Sequence, residues 1–562
     1  MKLRTTIISV VLFAIFFLLG LKIGNSPIVS GLNYAEQTNR DIKRSLNIGF
    51  NFLQPGGYIV EKQFNQDILH YDISIELFPN KRIINGKTII TGRTTNLPAD
   101  TIFLNFYDNM KITSLYLDGQ PSNFILEGTS LKIPLAAHPV DSFNIVVEYE
   151  GTPKRAGLAS FVFGEINGKS LIYTLNEPNF ASTWFPCNDM PDDKALIDIH
   201  ITNDDEKISI SNGILAGIKS EEGKRKTYSW KTVYPISTYL IAIYSSDYLN
   251  FTDHYITANK DTMLLDYYCL PQHKEEAKID FSGHRQMIEI FSKLFGEYPF
   301  IKEKYGVAEF LWQLGAMEHQ TITGIGSNFV SGRNFFEDIY VHELAHQWWG
   351  NAVGPKTWAD IWLNEGFASY SEALYYEALS GKDALKSTML SKFNSNFPGT
   401  LYNPNDLFNR TVYDKGAWVL HMLRNLTSDS VFFNILHEYF EIYKYSNSST
   451  QDFKYICEKV SGRNLDKFFE QWIYKGIGII KCKYDWEVSD GNSLSVNLNQ
   501  VQTEYDTFFF PLDIKIKLKK GGEVNETVFV DAHKKTFTFR LEDVPLSIEL
   551  DPESLLLAEF EK

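Results

Sequence analysis

Val341-His342-Glu343-Leu344-Ala345-His346-Gln347-Trp348-Trp349-Gly350 is the stretch that decides how this chain is read, together with Trp362-Leu363-Asn364-Glu365-Gly366-Phe367-Ala368-Ser369-Tyr370 a short way on. The two give His-Glu-x-x-His, eighteen intervening residues, then Glu. Residues four apart on an α-helix share a face, so His342 and His346 can turn both imidazoles to one ion. Glu343 lies one step round the helix, placed for a water. Two neutral nitrogens and one carboxylate oxygen fill three corners of a tetrahedral zinc and leave the fourth open, the arrangement of a working site rather than of a closed structural one. A five-residue pattern of this kind recurs by chance, so the flanks carry weight. No Pro or Gly interrupts 339–349, Leu344, Ala345, Trp348 and Trp349 supply an apolar side, and a second helical stretch from Ala359 to Leu379 carries Glu365 in its first two turns.

Three further motifs surround this pair. Val307 to His319 is apolar and strand-like up to Leu314 and then reaches Gly315-Ala316-Met317-Glu318-His319, where a small residue lets another backbone approach. Downstream, Thr411-Val412-Tyr413-Asp414-Lys415-Gly416-Ala417 opens a helical run. Upstream, Glu177 stands in Tyr173-Thr174-Leu175-Asn176-Glu177-Pro178, ahead of Phe185-Pro186-Cys187-Asn188-Asp189.

In this order the motifs resemble peptidase family M1, the gluzincin zinc aminopeptidases of the aminopeptidase N type, over roughly residues 66–480. GAMEH stands beside that family's GAMEN, and HELAH-x18-E, YxKG and NEP…FPCND beside its other signatures. The resemblance implies one zinc per chain on His342, His346 and Glu365, with Glu343 as general base and Tyr413 as hydrogen-bond donor to the oxyanion. It implies that Glu318 and Glu177 hold the free α-ammonium of a peptide, with Gly315, Ala316, Met317 and His319 completing the substrate-binding wall. Two carboxylates around one ammonium make an exopeptidase, because a neutral amide there leaves both charges buried and unmatched. His319 departs from the family's Asn; it is bulkier, and can donate or accept through either ring nitrogen. The expected activity is hydrolysis of the amino-terminal peptide bond by an activated water. Among rivals, an epoxide hydrolase of the same family lacks Glu177, a catalytically dead scaffold would have lost a ligand or the base, and an endopeptidase has no use for the double-carboxylate clamp.

The expected architecture is multidomain α+β. Short alternating strands, as in Tyr71 to Leu77 and Lys207 to Ile210, predict an amino-terminal β-sheet domain over 66–255. Helical spacing, as in Met287, Ile290, Phe291 and Leu294, predicts a mostly helical catalytic domain over 256–476. Alternation returns in Ser493 to Leu498 and Thr536 to Phe539 and predicts a small β-sandwich over 477–562. The resemblance makes the first domain saddle-like and the second thermolysin-like. Residues after 476 have neither the length nor the periodicity for the large helical domain of many relatives, so the cavity is expected to be more open, or closed by a partner subunit.

Thr5 to Leu21 is an uncharged, apolar run between Lys2 and Arg4 on one side and Lys22 on the other. With no A-x-A site after it, residues 1–24 read as an uncleaved membrane anchor in preference to a cleaved signal, with the enzyme outside the cytoplasm and 25–65 as a tether. A formal net charge of −15 over 562 residues argues against nucleic acid, whose phosphates need the opposite sign. The four cysteines, Cys187, Cys269, Cys457 and Cys482, show no CxxC spacing, which leaves disulfides and buried thiols both open.

Overall fold

The computed structural model describes residues 62–95, 100–135 and 142–562; the anchor and tether expected over 1–65 lie almost wholly outside these. Among the described residues no helix is long and apolar enough to cross a membrane.

The first described strand begins at Gln66, where the alternation starts. Gln66–Phe78 buries every second side chain, among them Tyr71, Ile73, Ile75 and Leu77, because successive residues of a strand face opposite sides of the sheet. It pairs antiparallel with Ile83–Thr94 and parallel with Leu196–Asp204 inside an eight-stranded sheet. A four-stranded sheet containing Ser160–Ile166 and Lys169–Leu175 lies in the same half, and Trp184, Trp230 and Tyr244 sit in its continuous apolar core.

A five-stranded sheet opens the catalytic half. Leu249–Ile256 and Thr262–Cys269 form an antiparallel hairpin, Lys304–Phe310 joins it in parallel, and Ile322–Gly326 and the two-residue strand Ala316–Met317 complete it. The domain boundary expected at 255/256 therefore falls inside a hairpin, and Leu249–Ile256 belongs with the catalytic half. Its alternation looks like that of the preceding strands; only its pairing with Thr262–Cys269 assigns it.

Helices His284–Phe295, Glu337–Ala345, Trp362–Ser380 and Gly416–Thr427 pack into one core. The helix Glu337–Ala345, which carries the His-Glu-x-x-His motif, is shorter than the apolar run 339–349 suggests. After Ala345 the amides bond three residues back, Gln347 to Leu344 and Trp348 to Ala345, each at 3.0 Å, so the chain tightens into turns and reaches the short strand Val353–Pro355. Its start is fixed by Asp280, whose carboxylate accepts the amides of Ser331, Gly332, Arg333 and Asn334 at 2.5–2.9 Å, and Glu337 and Asp338 put negative charge at its amino-terminal end. From Ile480 onward a four-stranded and a three-stranded sheet hold Leu494, Val496, Leu498, Leu512, Ile514 and Ile516 between them, the sandwich expected from the alternation. All four cysteines are buried and none forms a disulfide.

Candidate active site

His342 and His346 stand one turn apart, and the helix Trp362–Ser380 brings Glu365 up to them. The two Nε2 atoms are 3.1 Å apart and each lies 3.4 Å from Glu365 Oε2. Tetrahedral zinc with bonds of about 2.0–2.1 Å requires ligand atoms separated by about 3.3 Å, so the three donors already form the face of such a site. The remaining nitrogens face outward: His342 Nδ1 meets Glu372 Oε1 at 2.8 Å, and His346 Nδ1 meets the Trp349 carbonyl at 2.9 Å. Each acceptor takes the Nδ1 proton and leaves the Nε2 lone pair for a metal. Glu372 is itself held by Lys392 Nζ at 2.6 Å.

The electrostatics point the same way. Burial lowers the His342 pKa, but bonds to Glu365 and Glu372 outweigh it and hold the imidazole up at about 10. Burial raises Glu365, and the two imidazoles overcome that and hold it down at about 2. The pocket is built to contain positive charge, which a dication supplies with both imidazoles neutral. Glu343 is buried beside this centre and pushed up to about 8, first by burial and, among the carboxylates, most by Glu318. A buried carboxylate tuned towards neutrality suits a group that takes and returns a proton.

Glu318 follows the edge strand Ala316–Met317, and the turn after the metal helix holds it in place. Its carbonyl accepts Asn351 Nδ2 at 2.6 Å and Gln347 Nε2 at 3.3 Å, while Gln347 Oε1 accepts the Thr321 amide at 2.9 Å. Glu177 sits just past the strand Lys169–Leu175, next to Asn176, whose amide spans the Ile241 carbonyl (2.7 Å) and the Trp184 indole (3.0 Å). These two segments, far apart in sequence, bring carboxylate oxygens of Glu177, Glu318 and Glu365 within 4.8 Å of one another. Glu318 Oε1 has no hydrogen-bond partner among the described residues, and burial pushes its carboxyl upward. Such a cluster calls for a cation.

Tyr413 stacks on His342 with ring centroids 5.9 Å apart and planes 18° apart. It lies in the π-helical turn Thr411–Lys415, which Lys415 anchors through its 2.7 Å bond to the Gly476 carbonyl. Two glycines allow this approach. A Cβ on Gly416 would lie 2.7 Å from Gly366 Cα, and one on Gly366 would lie 2.9 Å from Gly416 Cα. The helix that supplies Tyr413 thus touches, backbone to backbone, the helix that supplies Glu365.

A cavity of about 1260 Å³ joins these groups; Glu177, Gly315, Ala316, Met317, Glu318, His342, Glu343, His346, Glu365 and Tyr413 all line it. His319 does not. Expected on the substrate-binding wall, it is fully buried behind that wall, with Nδ1 2.6 Å from the Tyr244 hydroxyl and its pKa pushed down to about 3 by burial. The backbone alternates at Glu318, so the next side chain points into the core instead of the cavity. The sequence reading missed Glu372, Lys392 and Tyr244. Glu372 had a signal: it lies seven residues, two helical turns, after Glu365 and so on the same face.

Helix-borne His-Glu-x-x-His completed by a glutamate from a second helix, against the edge of a mixed sheet, defines the gluzincin class of metal site. The Peptidase M1 N-terminal domain matches residues 68–240 and the Peptidase family M1 domain residues 280–472. The chain belongs to peptidase family M1. It is 28% identical over 407 residues to the puromycin-sensitive aminopeptidase of Caenorhabditis elegans, covering 66% of this chain and 42% of that protein. It is 26% identical over 438 residues to probable aminopeptidase 2 of Sulfurisphaera tokodaii, covering 73% and 53%. The chain spans about half the length of the curated relatives it matches. Two solved structures share the fold: aminopeptidase A of Legionella pneumophila in complex with aspartic acid (TM-score 0.79, 18% identity, 89% of this chain and 60% of that one) and the M1 zinc metallopeptidase of Deinococcus radiodurans (TM-score 0.64, 23% identity, 73% and 93%).

Proposed function

We propose that this protein is a zinc-dependent aminopeptidase that removes the first residue from peptides with a free amino terminus. The observation that carries this reading is the adjacency of the Glu177 and Glu318 carboxylates to the His342, His346 and Glu365 triad. An α-ammonium held by the first pair sets the first peptide bond beside the triad, and an acylated or internal residue brings no positive charge to this carboxylate cluster.

His342, His346 and Glu365 would hold a zinc ion, which would supply Lewis acidity to the scissile carbonyl and to a water. Glu343, buried beside the triad, takes the proton of the attacking water and returns it to the leaving amine. Tyr413, stacked on His342, donates its hydroxyl to the developing oxyanion. Glu372 and the Trp349 carbonyl hold the two imidazoles in the tautomer that presents Nε2.

The test is a matched pair of peptides, one with a free and one with an acetylated amino terminus, with and without chelator. Chelator-sensitive turnover confined to the free amine supports the reading; equal cleavage of both, or cuts inside long chains, defeats it.

We also propose that the enzyme acts outside the cytoplasm, held to a membrane by Thr5 to Leu21. The support is that apolar run and its flanking Lys2, Arg4 and Lys22. Full-length protein that stays with membranes through carbonate washing supports the anchor; soluble protein beginning near residue 25 shows a cleaved signal instead.

A further inference from the structure

Among the described residues lining the cavity, eight are acidic and two, Lys392 and Arg410, are basic. Lys392 is spent on Glu372, behind the metal ligand His342. Arg410 is different. Its Nε donates to Asp414 Oδ2 at 2.7 Å, its side chain is 37% exposed, and neither terminal Nη donates a hydrogen bond to any described residue.

Its backbone is fixed. Asn409 Oδ1 accepts the amides of Thr411 (2.7 Å) and Val412 (3.3 Å), Asn409 Nδ2 donates to the Asp406 carbonyl at 2.8 Å, and Thr411 Oγ1 donates to the Pro398 carbonyl at 2.7 Å. A guanidinium on a rigid turn, with one edge engaged and the other open to a cavity, is pre-organised for a planar anion.

Its place in the cavity says which anion. Glu318 is bonded to the turn just beyond His346, whereas Tyr413 stacks on His342. Arg410 precedes Tyr413 by three residues, about one turn, so it stands beside Tyr413 on the cavity wall. From the carboxylate clamp outward the order is Glu318, His346, His342, Tyr413, Arg410. An extended chain advances about 3.3–3.6 Å per residue, so a peptide laid along this order carries the residues past its scissile bond towards the Arg410 side of the cavity.

We infer that Arg410 binds the terminal carboxylate of short peptides, making di- and tripeptides with a free carboxyl end the preferred substrate class. This rests on the aminopeptidase reading. With carboxylates at the clamp and a guanidinium at the far end, the cavity matches a zwitterion whose charges lie two or three residues apart. In a longer peptide the carboxylate runs past Arg410, which then meets a neutral amide.

The experiment compares dipeptide and tripeptide acids with their carboxyl-terminal amides, sharing the first residue that an aminoacyl anilide panel shows to be turned over best. The unmodified enzyme should favour acid over amide in kcat/KM by about tenfold or more, the usual margin of a charge-assisted bidentate contact. Arg410→Gln should erase that preference through KM, and Arg410→Lys should restore part of it. Calorimetric binding of the same acids and amides to the zinc-loaded Glu343→Gln protein reads the preference without turnover. Failure to cleave any free-amine anilide would defeat the aminopeptidase reading, and the binding comparison would still decide on Arg410. Equal treatment of acid and amide by the unmodified protein in both assays, or an undiminished preference in Arg410→Gln, overturns the inference.

Discussion

Gly416→Ala tests whether the contact between the two site-bearing helices sets the chemistry. The added methyl would lie 2.7 Å from Gly366 Cα, with the Gly366 amide nitrogen next at 3.5 Å. Ordinary contact needs about 3.5–4.0 Å between carbons, so the helices must part by about 1 Å, and backbone cannot swing aside as a side chain can. Overpacking of this kind costs about 1–3 kcal/mol, and the better helix propensity of Ala returns about 0.5–1 kcal/mol. The net loss of stability is therefore small, at most about 2.5 kcal/mol. The larger effect falls on rate. Tyr413 lies three residues before Gly416 and stacks on His342, so the same displacement moves its hydroxyl off the oxyanion, and a misplacement of about 1 Å costs up to about 10²-fold in kcat. Steady-state kinetics on an aminoacyl anilide, with a melting curve on the same preparation, separates the two. A folded variant with kcat within twofold of the unmodified enzyme would refute the reasoning.

Tyr413→Phe keeps the stacked ring and removes one hydroxyl; kcat should fall by about 10²–10³ with KM little changed, and a change confined to KM would assign Tyr413 to binding. Glu372→Gln leaves the three metal ligands in place but weakens the acceptor that orients His342; zinc affinity, read by competition with a chelator, should fall by about 10–100-fold. Burial holds His284, His319 and His421 at pKa values of about 4, 3 and 4. Folded values below the unfolded value near 6.5 mean that the unfolded chain binds the extra protons, so stability is lost as pH falls from about 6.5 towards 4, by about 2 kcal/mol per histidine at pH 5. Buried carboxyls such as Asp189 and Asp193, held up by burial at about 6 and about 7, titrate in the same window with the opposite sign, so urea unfolding of the unmodified protein and of His319→Asn is compared: the stability of the first relative to the second should fall by about 2 kcal/mol between about pH 7 and pH 5, and a constant difference removes His319 from the account.

The convergence of His342, His346 and Glu365 was legible because these residues are local: i and i+4 on one helix, and a glutamate early in the next, fix their own geometry. Strand alternation likewise marked the Gln66 start and the carboxyl-terminal sandwich. What could not be read depended on partners distant in sequence. Leu249–Ile256 alternates like any strand, and only Thr262–Cys269 assigns it to the catalytic sheet. His319 sits in a motif that suggested a substrate contact, yet Tyr244, 75 residues away, claims it. Glu177 and Glu318 could be paired only through the resemblance, since no local periodicity joins a turn of the first domain to an edge strand of the second. The glycines of NEG and YDKG lie in stretches that read as helical, and nothing local marks them as the points where the two helices meet.

The central claim is that Glu343 moves the proton while His342, His346 and Glu365 hold the metal. Glu343→Gln, assayed on an aminoacyl anilide after metal analysis, tests it most directly. The account predicts one zinc per chain retained and kcat lowered by about three orders of magnitude or more, since base and proton donor are lost together. Near-normal turnover in a variant that still carries its zinc would contradict it.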